Sequence, residues 1–140
     1  MSKVITFSTF FPAYIQHRLM KTNFEEKILS GEKKHTIRAG NRWKVGDKFS
    51  PRVWTGKPYH SPQKIICDDL TICKIYEFKI LEGRLFLINN CTELYVDKDL
   101  ITKIAQNDGL TLTQFDDWFK GGRKDFEGQI ICWDPTFEYY

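Results

Sequence analysis

The pattern of apolar and polar positions predicts short β-strands along most of the chain. Residues 4–10 alternate and are rich in β-branched and aromatic side chains, which is typical of a strand. A longer β-rich stretch over residues 64–81 is interrupted at Cys67-Asp68-Asp69, where we expect a bulge or a turn. Further strands are predicted over residues 33–38, 48–55, 84–88, 92–96 and 128–133.

Three segments have the apolar spacing and the end signals of short helices. A hydroxyl or carboxylate side chain before each one can accept hydrogen bonds from the first free amides, and glycine suits the left-handed stop. Strands mixed with a few helices, rather than strictly alternating with them, predict an α+β domain with a curled or barrel-like mixed sheet over residues 1–140. The predicted helices run from a cap at Thr22 to Gly31, from a cap at Asp97 to about Asn107, and from a cap at Thr113 through Phe119.

Composition places the chain among ordinary globular domains with a basic first half. The sequence has 140 residues, of which 41% are hydrophobic, 28% charged and 15% aromatic. Residues 1–66 hold 13 Lys and Arg against 4 Asp and Glu, whereas the remainder is net acidic. A basic half favours an anionic partner such as a nucleotide or nucleic acid, although the two halves can also neutralise each other across the fold.

No segment has the length and apolarity of a membrane span, and the start of the chain has no cleavage site of a signal peptide. A cytoplasmic protein without membrane association is therefore expected. Its four cysteines form no pattern of zinc ligands, so we expect no metal, and Cys67, Cys73 and Cys132 are predicted to be small buried residues.

The segment Gly31-Glu32-Lys33-Lys34-His35-Thr36-Ile37-Arg38 concentrates the candidate chemistry. In a regular strand Lys33 and Thr36 would face opposite sides, but a turn or bulge at its start would bring them together. Lys33 would then be a general base or a phosphate contact, and Thr36 a nucleophile or simply a strand residue. Arg38 suits a planar grip on an anion, or an internal salt bridge to Asp108 or Asp47.

Aromatic and cationic residues alternate in the segment after this motif. Bases stack on aromatic rings while cations meet phosphates, so the pattern is typical of single-stranded nucleic acid binding. We expect one tryptophan to be in the core, namely Trp54. The predicted contacts to nucleic acid or substrate are Lys34, Arg38, Arg42, Trp43, Arg52 and Tyr59.

The segment at residues 31–38 resembles the G-x-K-x-x-T-x-R signature of ASCH domains, which are small β-barrels related to the PUA RNA-binding fold. The glycine turn Val45-Gly46-Asp47 and the stretch from Asp108 to Thr113 are similar to family features as well. Two segments depart from the smallest members: residues 8–21 are inserted, and the loop at 51–63 is longer. The resemblance implies a PUA-like mixed β-barrel of about six strands with two to three flanking helices.

The resemblance also implies a function. One bacterial group of ASCH proteins hydrolyses cytidine acetylated on its exocyclic amine, with a lysine that activates a threonine nucleophile and a downstream acid. By motif these are Lys33, Thr36 and Asp108, the last one methylene shorter than the family's glutamate and alternatively a helix terminus. Other members are described as RNA binders or nucleases. An amidohydrolase acting on modified cytidine, a non-catalytic single-stranded RNA-binding module and an RNA nuclease therefore all remain open, each without a cofactor.

Overall fold

The computed structural model describes residues 3–12, 20–120 and 125–140. Part of the predicted insertion at residues 8–21 lies outside these ranges. The strands are β1 (Lys3–Phe7), β2 (His35–Ala39), β3 (Lys48–Trp54), β4 (Gln63–Ile65), β5 (Leu70–Thr71), β6 (Lys74–Leu81), β7 (Arg84–Asn89), β8 (Thr92–Tyr95) and β9 (Phe126–Cys132). The helices are α1 (Phe24–Ser30), α2 (Lys98–Asn107) and α3 (Leu112–Lys120).

The strands form two sheets, which confirms the α+β, β-rich class. In the first sheet β3 lies between β1 and β4 and also pairs with β5; in the second the order is β2-β9-β6-β7-β8. Among the strands that the structure describes, only the pairing of β1 with β3 is parallel. Within the described ranges the pairing does not close a ring, so the predicted barrel of about six strands appears as nine strands in two sheets.

The two sheets meet at one corner, where β5 continues into β6. Ile72 is fully buried there and donates its amide to Asp47 O at 2.8 Å, and the next amide, of Cys73, donates to Cys132 O at 2.9 Å. Two consecutive residues therefore hydrogen-bond to different sheets, Ile72 next to the first and Cys73 to the second. At the opposite side β1 and β2 are the terminal strands of their sheets.

We call the gap between β1 and β2 the seam. The Arg38 side chain of β2 crosses it, because its Nη2 donates a hydrogen bond to Thr6 O of β1 at 2.7 Å. A side chain therefore joins two edges that no backbone ladder joins in the described chain.

Aromatic residues fill much of the core between the sheets and the helices. Phe78 contacts Phe115, Phe119 and Phe126 edge to face, with ring centroids 6.1 to 6.5 Å apart. The apolar stripe of α2 adds buried Ile101, Ile104 and Ala105. No helix of the described residues has the length and apolar composition that a membrane crossing requires.

The predicted cap of α2 is confirmed, since Asp97 accepts a hydrogen bond from Leu100 N at 2.9 Å. The prediction for α3 is wrong by two residues. Thr111 caps this helix: its hydroxyl accepts from Gln114 N at 3.1 Å, and Gln114 Oε1 accepts from Thr111 N at 3.0 Å. This reciprocal pair is a capping box, in which threonine is followed three residues later by glutamine rather than glutamate.

The predicted cap of α1 is wrong as well. The N-cap is Asn23, with a left-handed φ of 58° and no side-chain cap bond. Thr22 is buried instead, and its hydroxyl donates to Ser8 O at 2.6 Å. A tertiary bond to Ser8, just after β1, therefore holds Thr22, and its hydroxyl also accepts a long hydrogen bond of 3.4 Å from Phe24 N.

Two further burial predictions are corrected by the structure. Trp43 is the buried tryptophan, with 5% of its surface exposed, whereas Trp54 lies on the outward face of β3 and is half-buried. Cys132 is buried and Cys67 half-buried, but Cys73 is exposed because it follows the inward-facing Ile72 at the corner.

Candidate active site

The lysine of the motif lies before the strand, not in it. β2 begins at His35, and Lys33 belongs to the connection that follows α1. Gly31 ends α1 with a φ of +84°, a conformation that glycine adopts without steric strain. The amide of Lys33 then donates back to Lys27 O at 3.0 Å. This tight turn directs the Lys33 side chain inward, where only 1% of its surface is exposed.

Asp108, the C-cap of α2, is the main partner of Lys33. The Lys33 Nζ donates to Asp108 Oδ1 at 3.1 Å and to the carbonyl oxygen of the same residue at 2.6 Å. It also lies 4.1 Å from the centroid of the Phe24 ring. Burial lowers the pKa of Lys33 to about 8, although the carboxylate of Asp108 opposes this shift. A fraction of this amine is therefore neutral at moderately alkaline pH.

His35 is a functional candidate that the sequence did not reveal. It is completely buried, and its Nδ1 lies 3.1 Å from Asp108 Oδ1. Its Nε2 is hydrogen-bonded to the Tyr139 hydroxyl, which also accepts from Asn107 Nδ2 at 3.0 Å. Burial lowers the pKa of His35, which favours the neutral ring.

The hydrogen-bond pattern assigns the tautomer of this neutral imidazole. A carboxylate only accepts, so the Nδ1–H of His35 donates to Asp108. Nε2 then accepts from the hydroxyl of Tyr139, which keeps its proton because burial raises its pKa. His35 stood within the motif, but its partner lies 104 residues away in the C-terminal segment, where no local pattern pointed to it.

Thr36 and Arg38 extend from the same face of β2. Thr36 is buried, and its Oγ1 accepts a hydrogen bond from Arg38 Nε at 3.3 Å. Asp47, one predicted partner of Arg38, is paired with Lys3 at 3.0 Å. In the described chain no carboxylate forms an ion pair with Arg38.

One cavity brings four polar candidates together. Its volume is about 210 Å³, and Lys33, Thr36, Arg38 and Asp108 all line it. This volume corresponds to roughly seven water molecules, which is about the space that one monocyclic ring fills. Aromatic residues supply much of the remaining wall: Phe7, Phe24, Trp118, Phe119 and Phe126. A flat ring would therefore meet aromatic walls and a base, a hydroxyl and a cation in one place.

Three other predicted contact residues lie away from this cavity. Lys34 is half-buried, and its Nζ donates to Thr136 Oγ1 at 3.2 Å. It borders a separate open groove between α1 and α2. Trp43 is a core residue, so its ring is not free to stack on a base; its backbone forms two hydrogen bonds with the side-chain amide of Gln129. The exposed Arg42 covers one side of the ring, 4.9 Å from its centroid.

The remaining predicted contacts lie at the outer end of the first sheet. Tyr59 is 83% exposed and packs against Trp54 with ring centroids 5.2 Å apart. Arg52 is half-buried and donates to Ser50 Oγ at 3.1 Å. These residues form an exposed aromatic and cationic patch outside the cavity wall.

The described ranges contain no group of three or more His, Cys, Asp or Glu side chains arranged to hold a metal ion. Comparison with known proteins does not assign a family: no family model, no curated protein and no solved structure matches the chain. The similarity of residues 31–38 to ASCH domains therefore stays a prediction, and the geometry of the cavity is the basis for a functional proposal.

Proposed function

We propose that this chain is a PUA-like ASCH domain that acts as an amidohydrolase in the cytoplasm, removing an acyl group from the exocyclic amine of a modified cytidine. The observation that supports this most is the buried Lys33, whose pKa is lowered to about 8 and which shares one cavity with the hydroxyl of Thr36. A lysine becomes a useful base near neutral pH only when its pKa is lowered in this way.

The architecture is compatible with a PUA-like barrel that is incompletely closed. The two sheets are continuous through the chain at the corner around Ile72, and Arg38 bridges the seam on the other side. The cavity lies at this seam, since residues of both β1 and β2 line it. The cavity therefore lies where the edges of the two sheets approach each other without backbone pairing in the described chain.

In the proposed reaction, the neutral Lys33 amine takes the proton of the Thr36 hydroxyl as Thr36 Oγ1 attacks the acyl carbon. The guanidinium of Arg38, which already contacts Thr36 Oγ1, stabilises the negative oxygen of the tetrahedral intermediate. The bond from the acyl carbon to the exocyclic nitrogen then breaks, and the leaving amine takes a proton from the Lys33 ammonium. This yields cytidine and an acyl ester on Thr36.

Water completes the cycle. Lys33 takes a proton from the attacking water, the bond between the acyl carbon and Thr36 Oγ1 breaks, and Thr36 recovers its proton. Asp108 holds Lys33 in place and moves protons to and from it; at 3.1 Å its shorter side chain still reaches the amine. The products are cytidine and a carboxylic acid.

The test is release of cytidine from N4-acetylcytidine, followed by liquid chromatography. Thr36→Val removes the hydroxyl at nearly constant volume, and we expect a loss of at least about 100-fold in kcat/KM. Thr36→Ser keeps a hydroxyl and is the matched control, with most of the activity retained. Absence of turnover, or equal turnover in Thr36→Val, excludes this mechanism.

The exposed patch favours a second candidate function, binding of single-stranded RNA without chemistry. The rings of Tyr59 and Trp54 pack against each other at an angle of 48°, and Arg52 and Lys57 are cations close to them in the sequence. A fluorescently labelled single-stranded RNA should bind with an affinity that falls steeply with salt, and Tyr59→Ala should weaken it. Binding that is insensitive to both salt and this substitution counts against the module.

A further inference from the structure

The backbone of β2 has one edge in the ladder and one edge in the seam. Trp133 N donates to Lys34 O, and Gly40 N donates to Glu127 O, both at 3.2 Å. In the antiparallel register between β2 and β9, residue 34 faces residue 133 and residue 40 faces residue 127. Every second pair of such a ladder is hydrogen-bonded, so the bonded pairs fall on the even-numbered positions of β2. By this alternation the peptide groups of Thr36 and Arg38 point toward β9, and those of Ile37 point away from it.

The cavity touches this free edge. Thr36, Ile37, Arg38 and Ala39 are four consecutive residues, and all four line it. Their side chains alternate between the two faces of the strand, and the side chain of Ile37 is in the core. Ile37 lines the cavity between Thr36 and Arg38, and by the register its N–H and C=O lie on the edge of β2 that faces away from β9.

Residues of β1 and its end form the opposite wall, where Phe7 and Ser8 line the same cavity. The bond from Arg38 to Thr6 O closes one end of the gap. The space beside Ile37 thus has β2 on one side and the end of β1 on the other. It lies where a further strand would pair with β2.

We propose that the N–H and C=O of Ile37 are the groups that recognise the hydrogen-bonding edge of the pyrimidine, in the way that a strand edge pairs with a neighbouring strand. The N–H donates to ring N3, and the C=O accepts from the exocyclic N4–H. An acyl group replaces only one of the two N4 hydrogens and leaves the other for this bond. The inference rests on the proposed function and adds the group that selects the base.

The experiment is amide hydrogen exchange by NMR on the full chain, without ligand and with saturating cytidine. Without ligand, Ile37 should exchange faster than its neighbours Thr36 and Arg38, whose amides bond to β9. With cytidine, exchange at Ile37 should slow by about tenfold or more, while Thr36 and Arg38 change little. These two neighbouring amides are the internal control.

Two cytidine analogues separate the inference from the proposed function. 5-Methylcytidine keeps the hydrogen-bonding edge intact and should bind like cytidine, whereas N4,N4-dimethylcytidine lacks the N4 donor and should bind at least about tenfold more weakly. If cytidine binds but Ile37 is already protected without ligand, gains no protection, or the dimethyl analogue binds equally, the inference is wrong and the proposed function stands. If no nucleoside binds, both are wrong.

Discussion

Lys33→Met is expected to change how the free energy of unfolding depends on pH. Burial lowers the pKa of Lys33 from 10.5 to about 8 in the folded chain. Between these values the unfolded chain binds a proton at this lysine that the folded chain has released, so stability rises with pH. At about 1.4 kcal/mol per pKa unit, the gain from pH 8 to pH 10.5 is about 3 kcal/mol.

The sign of this contribution follows from the lowered pKa. The full contribution is present above pH 10.5, where the amine is neutral in both states, and it is lost as the pH falls toward 8. In Lys33→Met the titrating group is absent, so this part of the pH dependence disappears.

Urea unfolding followed by tryptophan fluorescence, at several pH values from 7 to 10.5, measures this difference. Burial raises the pKa of both Cys132 and Tyr139, so in this pH range these groups lose protons mainly in the unfolded chain. Their contributions cancel when the curve of Lys33→Met is subtracted from that of the wild type. Lys44→Met, which removes an exposed ammonium, controls for net charge. Parallel curves for wild type and Lys33→Met would refute the reasoning.

Three further predictions concern residues around the cavity. Tyr139→Phe removes the hydroxyl between His35 and Asn107 and should lower the unfolding free energy by about 1–3 kcal/mol in urea unfolding, because buried polar groups lose a partner. Gly128→Ala should destabilise by at least about 2 kcal/mol in the same assay, since an added Cβ would lie 2.3 Å from the Arg38 carbonyl oxygen. Because burial lowers the pKa of His35, the wild type should lose stability as pH falls below 6.5, and His35→Gln should lose less.

Each of these outcomes has a clear opposite. An unchanged midpoint in Tyr139→Phe would mean that the hydroxyl contributes nothing to the network. Normal stability of Gly128→Ala would show that the strands separate freely at this point. If the unfolding free energy of wild type and of His35→Gln fell equally below pH 6.5, another group would control the loss of stability at low pH.

Helix α2 illustrates what could be predicted from the sequence. Its cap and its apolar spacing are local signals, and Asp97 accepts the expected bond from Leu100 N. α3 shows the limit of the same signals, because Thr111 and Thr113 are both plausible caps and only the reciprocal pairing with Gln114 distinguishes them. Local chemistry thus predicts that a helix exists better than it predicts where the helix begins.

Non-local contacts account for what the sequence did not predict. The pairing of β1 with β3 joins segments more than 40 residues apart, and no pattern within either strand specifies it. The motif drew attention to Lys33 and Thr36, but the network through His35 depends on Tyr139, which belongs to a C-terminal segment without strand or helix. The catalytic role of Lys33, Thr36 and Asp108 stays a prediction, although one cavity brings them together.

The way in which Arg38 spans the two edge strands has a mechanical consequence. Two strands joined by a ladder separate only when several backbone hydrogen bonds break together, whereas here one flexible side chain forms the bridge to Thr6. Rotation of that side chain would widen the passage to the aromatic interior without disturbing either sheet. Opening motions of the domain should therefore be concentrated at the seam, so that a ring-shaped ligand can enter the cavity while both sheets keep their structure.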